Sequence, residues 1–242
     1  PVKGVGQQGL LPFATAESPR KRGAKRKPRS GLPGGGVQKA PKAKVNQPIA
    51  GPAKMEEVVE RLTEALHKVV ANKGAPGPDR QPVSQLAERW NEVHPWLSRA
   101  LIDGSYGPGE IRRVWIPKSD GKGQRGLGIP SAVDRVVQEA TRMVLEPRYE
   151  PTFNSSSHGF RPERGCHTAI AQAKKYVQDG CHWVVDIDLE SFFVRVPHQR
   201  LMAKLAEQVE DKRLLVLIHR MLKAKVVMPN GVKIATEEGL PQ

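Results

Sequence analysis

The stretch VVDIDLESFFVRVPH, residues 184–198, decides how the chain is read. An apolar run ends in two carboxylates two residues apart, Asp186 and Asp188, and paired aromatics, Phe192 and Phe193, follow at once. Residues 182–188 read as a strand, in which positions i and i+2 share a face. Asp186 and Asp188 then project together, while Val185 and Ile187 face a core. A solvated strand end carries the same pattern, so two readings stay open at this point: an exposed edge, or carboxylates held out for a hard cation.

Upstream, RRVWIP (112–117) and RGLGIP (125–130) are two short β-like runs separated by KSDGKGQ, whose Asp120-Gly121 step favours a hairpin. Lys118, Lys122 and Arg125 cluster there among glycines, a composition suited to gripping phosphate oxygens and equally found in solvated hairpin charges. Ser131 is placed to N-cap a helix with Asp134 three residues on; Val133, Val136, Val137, Ala140 and Val144 share one face, and Pro147 is expected to end it. Further upstream, Val58, Val59, Leu62, Leu66, Val69 and Val70 predict an amphipathic helix from Met55 that stops near Asn72 and Gly74. GAPGPD (74–79) is a turn-rich connection to a second helical stretch carrying Leu86, Trp90, Val93 and Leu97. Downstream of the loop FNSSSHGFRPERG (153–165), helices are expected over 168–177, 198–208 and 211–224, and VVMPNGVKIA (226–235) reads as a hairpin around Asn230-Gly231. Helices and hairpins interleave without a βαβα repeat, which predicts an α+β fold.

At 242 residues and 38% hydrophobic content the chain can bury a real core. No window approaches the ~18 consecutive apolar residues of a membrane span, and no secretory signal opens the chain, so a soluble cytoplasmic protein with no membrane contact is expected. Cys166 and Cys181 are each followed by a histidine, but the spacing fits no zinc pattern, and two reduced thiols are expected. The formal charge of +14 is unevenly distributed: residues 1–54 hold twelve Lys or Arg and one acid, Glu17, hence +11. That leader, with RKRGAKRKPR (20–29) and GLPGGG (31–36), has too little apolar surface to offset ordering and reads as disordered. It suits a cationic arm that binds phosphate backbones through counterion release, and also a solubilising tail or sequence upstream of a start at Met55.

The ordered run RRVWIPKSDGKGQRGLGIPSAVDRVVQEA, FNSSSHGFRPERGCHTAI, WVVDIDLESFFVRVPHQRLM and TEEGLPQ resembles the N-terminal half of bacterial group II intron reverse transcriptase/maturases, and NKGAPGPD (72–79) is similar to that family's N-terminal extension. The resemblance covers residues 55–242. It implies right-hand polymerase-like fingers and a partial palm behind the disordered basic leader. The implied boundaries are 1–54 for the leader, 55–110 for a helical N-terminal extension, 111–181 for the fingers and 182–242 for the palm, ending before the family's YADD hairpin.

The resemblance also assigns roles. Asp188, five residues before Phe193, corresponds to the aspartate that binds catalytic Mg2+, with the Leu189 carbonyl completing the second ion's shell. Phe193 is the implied gate against a 2′-hydroxyl, and Asp186 an outlying or structural acid. Lys118 and Arg125 would lie over the triphosphate and Gln242 beneath the nucleotide. Arg161 and Arg164 would touch the RNA template, although arginines in a GFRP turn suit a structural role equally well. The implied partners are an intron RNA template, a DNA or RNA primer and deoxynucleoside triphosphates, and the implied reaction is attack of a primer 3′-hydroxyl on the nucleotide α-phosphate. The sequence does not specify an oligomeric state.

Two departures qualify the match. The family writes FFDRVNHD where this chain has FFVRVPHQ, so Val194 and Pro197 replace an acid and an asparagine, and the following helix is expected to lack a cap worth about 1 kcal/mol. No adjacent aspartate pair occurs in these residues, so the two-ion site is incomplete in this chain. The 242 residues alone are therefore expected to lack polymerase activity and to expose strand edges and apolar surface. A non-catalytic RNA-binding, maturase-like module is the alternative reading.

Overall fold

Helix α1, Met55–Ala71, forms where the apolar residues recur at three and four residue steps, and Met55, Val58, Leu62, Ala65, Leu66 and Val69 all turn inward. The computed structural model describes residues 51–118, 121 and 123–240; residues 1–50 of the leader, Asp120, Lys122 and Gln242 lie outside the described residues. The Lys54 amide donates to Glu57 Oε1 at 3.0 Å and the Met55 amide to Asp211 Oδ2 at 2.9 Å, so the helix start is partnered both locally and from the far end of the fold.

The second helical stretch divides at Arg89 into α2, Val83–Glu88, and α3, Trp90–Ile102. The hairpin follows as β1, Ile111–Pro117, and β2, Gln124–Ile129, antiparallel with Ile116 opposite Arg125 and Pro117 opposite Gln124. Ser131 then caps α4, Ala132–Tyr149, its hydroxyl accepting from the Asp134 amide at 3.1 Å. Pro147 does not end α4 as expected. It sits near the terminus, where the missing amide removes one bond, and Arg148 holds the last turn by donating from Nη1 to the Val144 carbonyl (2.6 Å) and from Nη2 to Glu57 on α1 (2.9 Å). The helices α1 and α4 pack face to face. Val58, Leu62, Val136, Val137, Leu97, Leu101 and Leu214 are at most 1% exposed and form the core, each stabilising the fold by about 1.5–3 kcal/mol through burial.

Beyond α4 come α5, Cys166–Gln178, α6, His198–Ala206, and α7, Lys212–Leu222. α5 buries none of its residues. Pro197 stands at the N-cap of α6 with no side-chain hydrogen bond, as the FFVRVPHQ departure predicts. Strands β3, Val226–Val227, and β4, Lys233–Ile234, form the second hairpin. Its turn is wider than a two-residue Asn-Gly loop: the Gly231 amide donates to the Met228 carbonyl and the Met228 amide to the Val232 carbonyl, both at 2.8 Å.

The four strands of the described residues join one sheet in the order β2-β1-β3-β4. β1 and β3 run parallel, with Ile111 opposite Val226 and Arg112 opposite Val227. The expectation of a strand over 182–188 is corrected: these residues form no ladder, because no described segment pairs with them, and Ile187 is 83% exposed instead of facing a core. No described helix is long and apolar enough to cross a membrane. Both cysteines are free and exposed.

Candidate functional site

The Asp188 segment lacks regular secondary structure and is exposed, and among the described residues neither Asp186 nor Asp188 has a hydrogen-bond or ion-pair partner. Ser191 then adopts φ 52°, ψ 36°, a left-handed conformation that a non-glycine residue takes at some cost. This reverses the chain into a single turn of 3-10 helix over Phe192–Val194, closed by the Val194 amide donating to Ser191 and the Arg195 amide to Phe192, both at 3.0 Å. The turn sets the two phenyl rings 5.4 Å apart at 58° and about half exposed, so neither ring enters the core.

A second segment locks this turn. The Leu240 amide donates to the Phe193 carbonyl at 2.7 Å and the Gly239 amide to the Val196 carbonyl at 2.8 Å. His198, 5% exposed, meets the Gly239 carbonyl through Nε2 at 2.6 Å. The residues leading to Gln242 are thus brought against Phe193. Nothing in the spacing of the sequence marks His198 or predicts that segment's return.

The hairpin tip places Lys118 and Arg125 on one exposed end. The Lys118 amide donates to the Gly123 carbonyl at 3.1 Å, and Arg125 follows from the register opposite Ile116. No hydrogen bond or ion pair joins either side chain to residues 186–193 among the described residues. The base of the hairpin is fixed by Asp134, a buried carboxylate that receives the Tyr106 hydroxyl (2.7 Å), the Ser131 hydroxyl (2.7 Å) and the Gly109 amide (3.2 Å). Gly109 precedes β1 and Ser131 follows β2, so one side chain holds both legs. Burial, and then the charge of Asp134, push the Tyr106 phenol far above its ordinary range. The neighbouring NKGAPGPD segment is seated by Arg112 Nη2, which donates to the Pro76 carbonyl at 2.6 Å, and by Gly77, where a Cβ would lie 2.7 Å from the Pro130 oxygen and the Ser131 nitrogen.

In the 153–165 loop the two arginines are engaged internally. The Arg161 guanidinium, 7% exposed, grips Glu150 (Nη2 to Oε1 2.7 Å, Nε to Oε1 3.0 Å) and donates from Nη1 to the carbonyls of Asn154 (2.7 Å) and Ser157 (3.0 Å). It also lies 5.3 Å from the centre of the Phe153 ring, and its bonds hold the Glu150 carboxyl below the usual range. Arg164 Nη1 donates to the Ser155 and Ser157 carbonyls. Of the two roles open to these arginines, the geometry accounts for the structural one.

A hard divalent cation takes oxygen ligands. The Asp188 carboxylate and the adjoining Leu189 carbonyl are donors of that kind, and no described cation competes for the carboxylate. No group of three or more His, Cys, Asp or Glu that could hold a metal ion occurs among the described residues. The donors fit in kind, with fewer side-chain ligands than a full shell takes.

A family model described as reverse transcriptase (RNA-dependent DNA polymerase) matches residues 116–242. Protein YkfC of Escherichia coli (strain K12) is 40% identical over 190 residues, which are 76% of this chain and 49% of YkfC. Group II intron-encoded protein LtrA of Lactococcus lactis subsp. cremoris is 39% identical over 179 residues, 74% of this chain and 29% of LtrA. Nuclear intron maturase 1, mitochondrial, of Arabidopsis thaliana is 38% identical over 142 residues, 56% of this chain and 18% of that protein. The chain therefore spans about half the length of the first of these relatives and less than a third of the other two.

Proposed function

We propose that this chain, which belongs to the reverse transcriptase family and to its group II intron branch, carries the nucleotide-selecting half of an RNA-directed DNA polymerase. In this reading residues 55–110 are the N-terminal extension, 111–181 the fingers and 182–242 the first part of the palm, behind the basic leader of residues 1–54. The substrates are an RNA template, a primer and deoxynucleoside triphosphates.

The observation that carries the reading is the pairing of an exposed Asp188, unpartnered among the described residues, with a turn that carries Phe193 five residues later. Asp188 and the Leu189 carbonyl would hold Mg2+, which when bound supplies charge neutralisation at the α-phosphate. Lys118 and Arg125 grip the triphosphate oxygens from the hairpin tip. Phe193 stands where a ribose 2′-hydroxyl would have to fit, and so selects the deoxy sugar by exclusion. The role proposed for Gln242, contact with the nucleotide from beneath, rests on the family resemblance alone. Arg161 and Arg164, held by their bonds within the 153–165 loop, shape the loop that would face the template backbone.

The test is binding of dTTP to the 242-residue chain in the presence of an RNA template and DNA primer. Binding should strengthen with Mg2+, and Asp188→Ala should remove that Mg2+ dependence. Lys118→Ala or Arg125→Ala should each weaken affinity about tenfold with or without the ion. Nucleotide binding that ignores template, Mg2+ and Asp188 alike would refute the proposal.

A further inference from the structure

We infer that His198 is a positioning residue for nucleotide selection, because its bond to the Gly239 carbonyl fixes the 239–240 backbone against the turn that carries Phe193. The inference rests on the reading of Phe193 as the gate that excludes a 2′-hydroxyl. Three hydrogen bonds close the clamp: Gly239 N–H to the Val196 carbonyl at 2.8 Å, Leu240 N–H to the Phe193 carbonyl at 2.7 Å, and His198 Nε2 to the Gly239 carbonyl at 2.6 Å. A carbonyl only accepts, so Nε2 carries the proton and the tautomer is fixed. Nδ1 is buried without a partner among the described residues, so this single donor bond orients the ring.

The backbones meet closely. Gly239 is buried at φ +77°, and a Cβ there would lie 2.3 Å from the Val194 oxygen and 2.8 Å from the Val194 Cα. Relief would require the Phe193 turn itself to move. The clamped segment is also continuous with the hairpin sheet: Thr236 donates to the Ala224 carbonyl at 2.9 Å, β4 precedes it, β4 pairs with β3, and β3 pairs with β1. The gate at Phe193 and the cationic tip at Lys118 and Arg125 are therefore ends of one hydrogen-bonded path, and His198 closes it at the gate.

Hydrogen exchange on the full 242-residue chain tests the clamp, with dTTP and UTP binding on template–primer testing its consequence. In His198→Leu, exchange at Gly239 and Leu240 should rise about tenfold or more, because a buried carbonyl loses its donor, while Leu62 and Val137 in the core stay protected. The preference for dTTP over UTP should fall with it. His198→Gln, whose amide can donate along the same direction, should restore both readouts, which a role in packing alone would not. If His198→Leu loses core protection as well, Gly239→Ala supplies the second variant, with the same local exchange and the same loss of preference expected. Unchanged exchange in both variants would overturn the clamp, and faster exchange with an unchanged dTTP preference would overturn the positioning role. Should the unsubstituted chain bind both nucleotides equally, the reading of Phe193 would fail while the exchange data still decide the clamp.

Discussion

Replacing Tyr106 by Phe removes one hydroxyl from the buried group that closes the base of the hairpin, and its effect should change with pH. The hydroxyl donates to Asp134 at 2.7 Å with both partners buried, a charge-assisted bond whose removal costs about 2 kcal/mol. Asp134 keeps the Ser131 hydroxyl and the Gly109 amide, so the variant should still fold. The phenol is raised far above its ordinary value near 10, by burial first and by the Asp134 charge second. A group raised in the folded state contributes stability that is complete below its unfolded value and declines as pH rises beyond it. One pH unit above that value the contribution falls by about 1.4 kcal/mol, so the difference between the two proteins should shrink from about 2 to about 0.6 kcal/mol at pH ~11, and vanish near pH ~11.5. Denaturant unfolding of both proteins between pH ~7 and ~11 measures this directly. Equal stability at neutral pH, or a gap that stays constant to pH ~11, would refute the assignment of Tyr106 as the donor that closes this group.

Three further outcomes are expected. Asp211, whose carboxylate takes Arg213 in two bonds, the Met55 amide and the Arg213 amide, is held at about 2. As a depressed acid it stabilises the fold above pH ~4 and loses that effect as pH falls toward ~2, so Asp211→Asn should cost about 2 kcal/mol at pH ~7 and nothing near pH ~2 in parallel melts. Arg161→Lys cannot reproduce a planar fork that reaches Glu150 and two carbonyls together; limited proteolysis should find the 153–165 loop cut several-fold faster while the melting temperature moves little, and an unaltered cleavage rate would contradict the role given to Arg161. Deleting residues 1–54, which carry twelve of the cations, should flatten the dependence of RNA affinity on salt, and a slope that does not change removes the leader from RNA binding.

The features legible in the sequence are those decided within a few residues. The Ser131 cap and its Asp134 partner, the face of α1, the existence of the first hairpin and the second hairpin around Asn230-Gly231 all follow from neighbours in the chain. The features that were not legible depend on partners far away in sequence. Val184, Val185 and Ile187 have strand-forming side chains, but a strand exists only where a second strand accepts its hydrogen bonds, and no described segment does so. Arg161 looks like a free cation in a GFRP turn until Glu150 is folded back onto it, and Asp134 looks like a cap until Tyr106 and Gly109 arrive from the preceding connection. For the candidate site the same division holds: the spacing of Asp188 and Phe193 was readable, and the clamp through His198 was not, since Gly239 lies 41 residues on.

Long-range partners also determine how firmly the candidate site is held. The first hairpin and the β3–β4 hairpin that leads to the Gly239 clamp are joined by a parallel ladder of only two residue pairs, Ile111 with Val226 and Arg112 with Val227, reinforced by the Ile111 amide on the Lys225 carbonyl at 2.8 Å. So short a ladder can open locally far more readily than the α1–α4 core, whose apolar side chains are fully buried. Precision at the site then depends on bonds at either end: Asp134 at the base of the hairpin and His198 at the gate. Each is a buried polar side chain reaching a backbone group outside its own helix, and each sits in the first turn of that helix, α4 or α6, whose axis fixes its direction. A substitution at His198 should therefore disturb local geometry before it disturbs global stability, whereas one at Asp134 should cost both, since a single one of its three bonds already contributes about 2 kcal/mol.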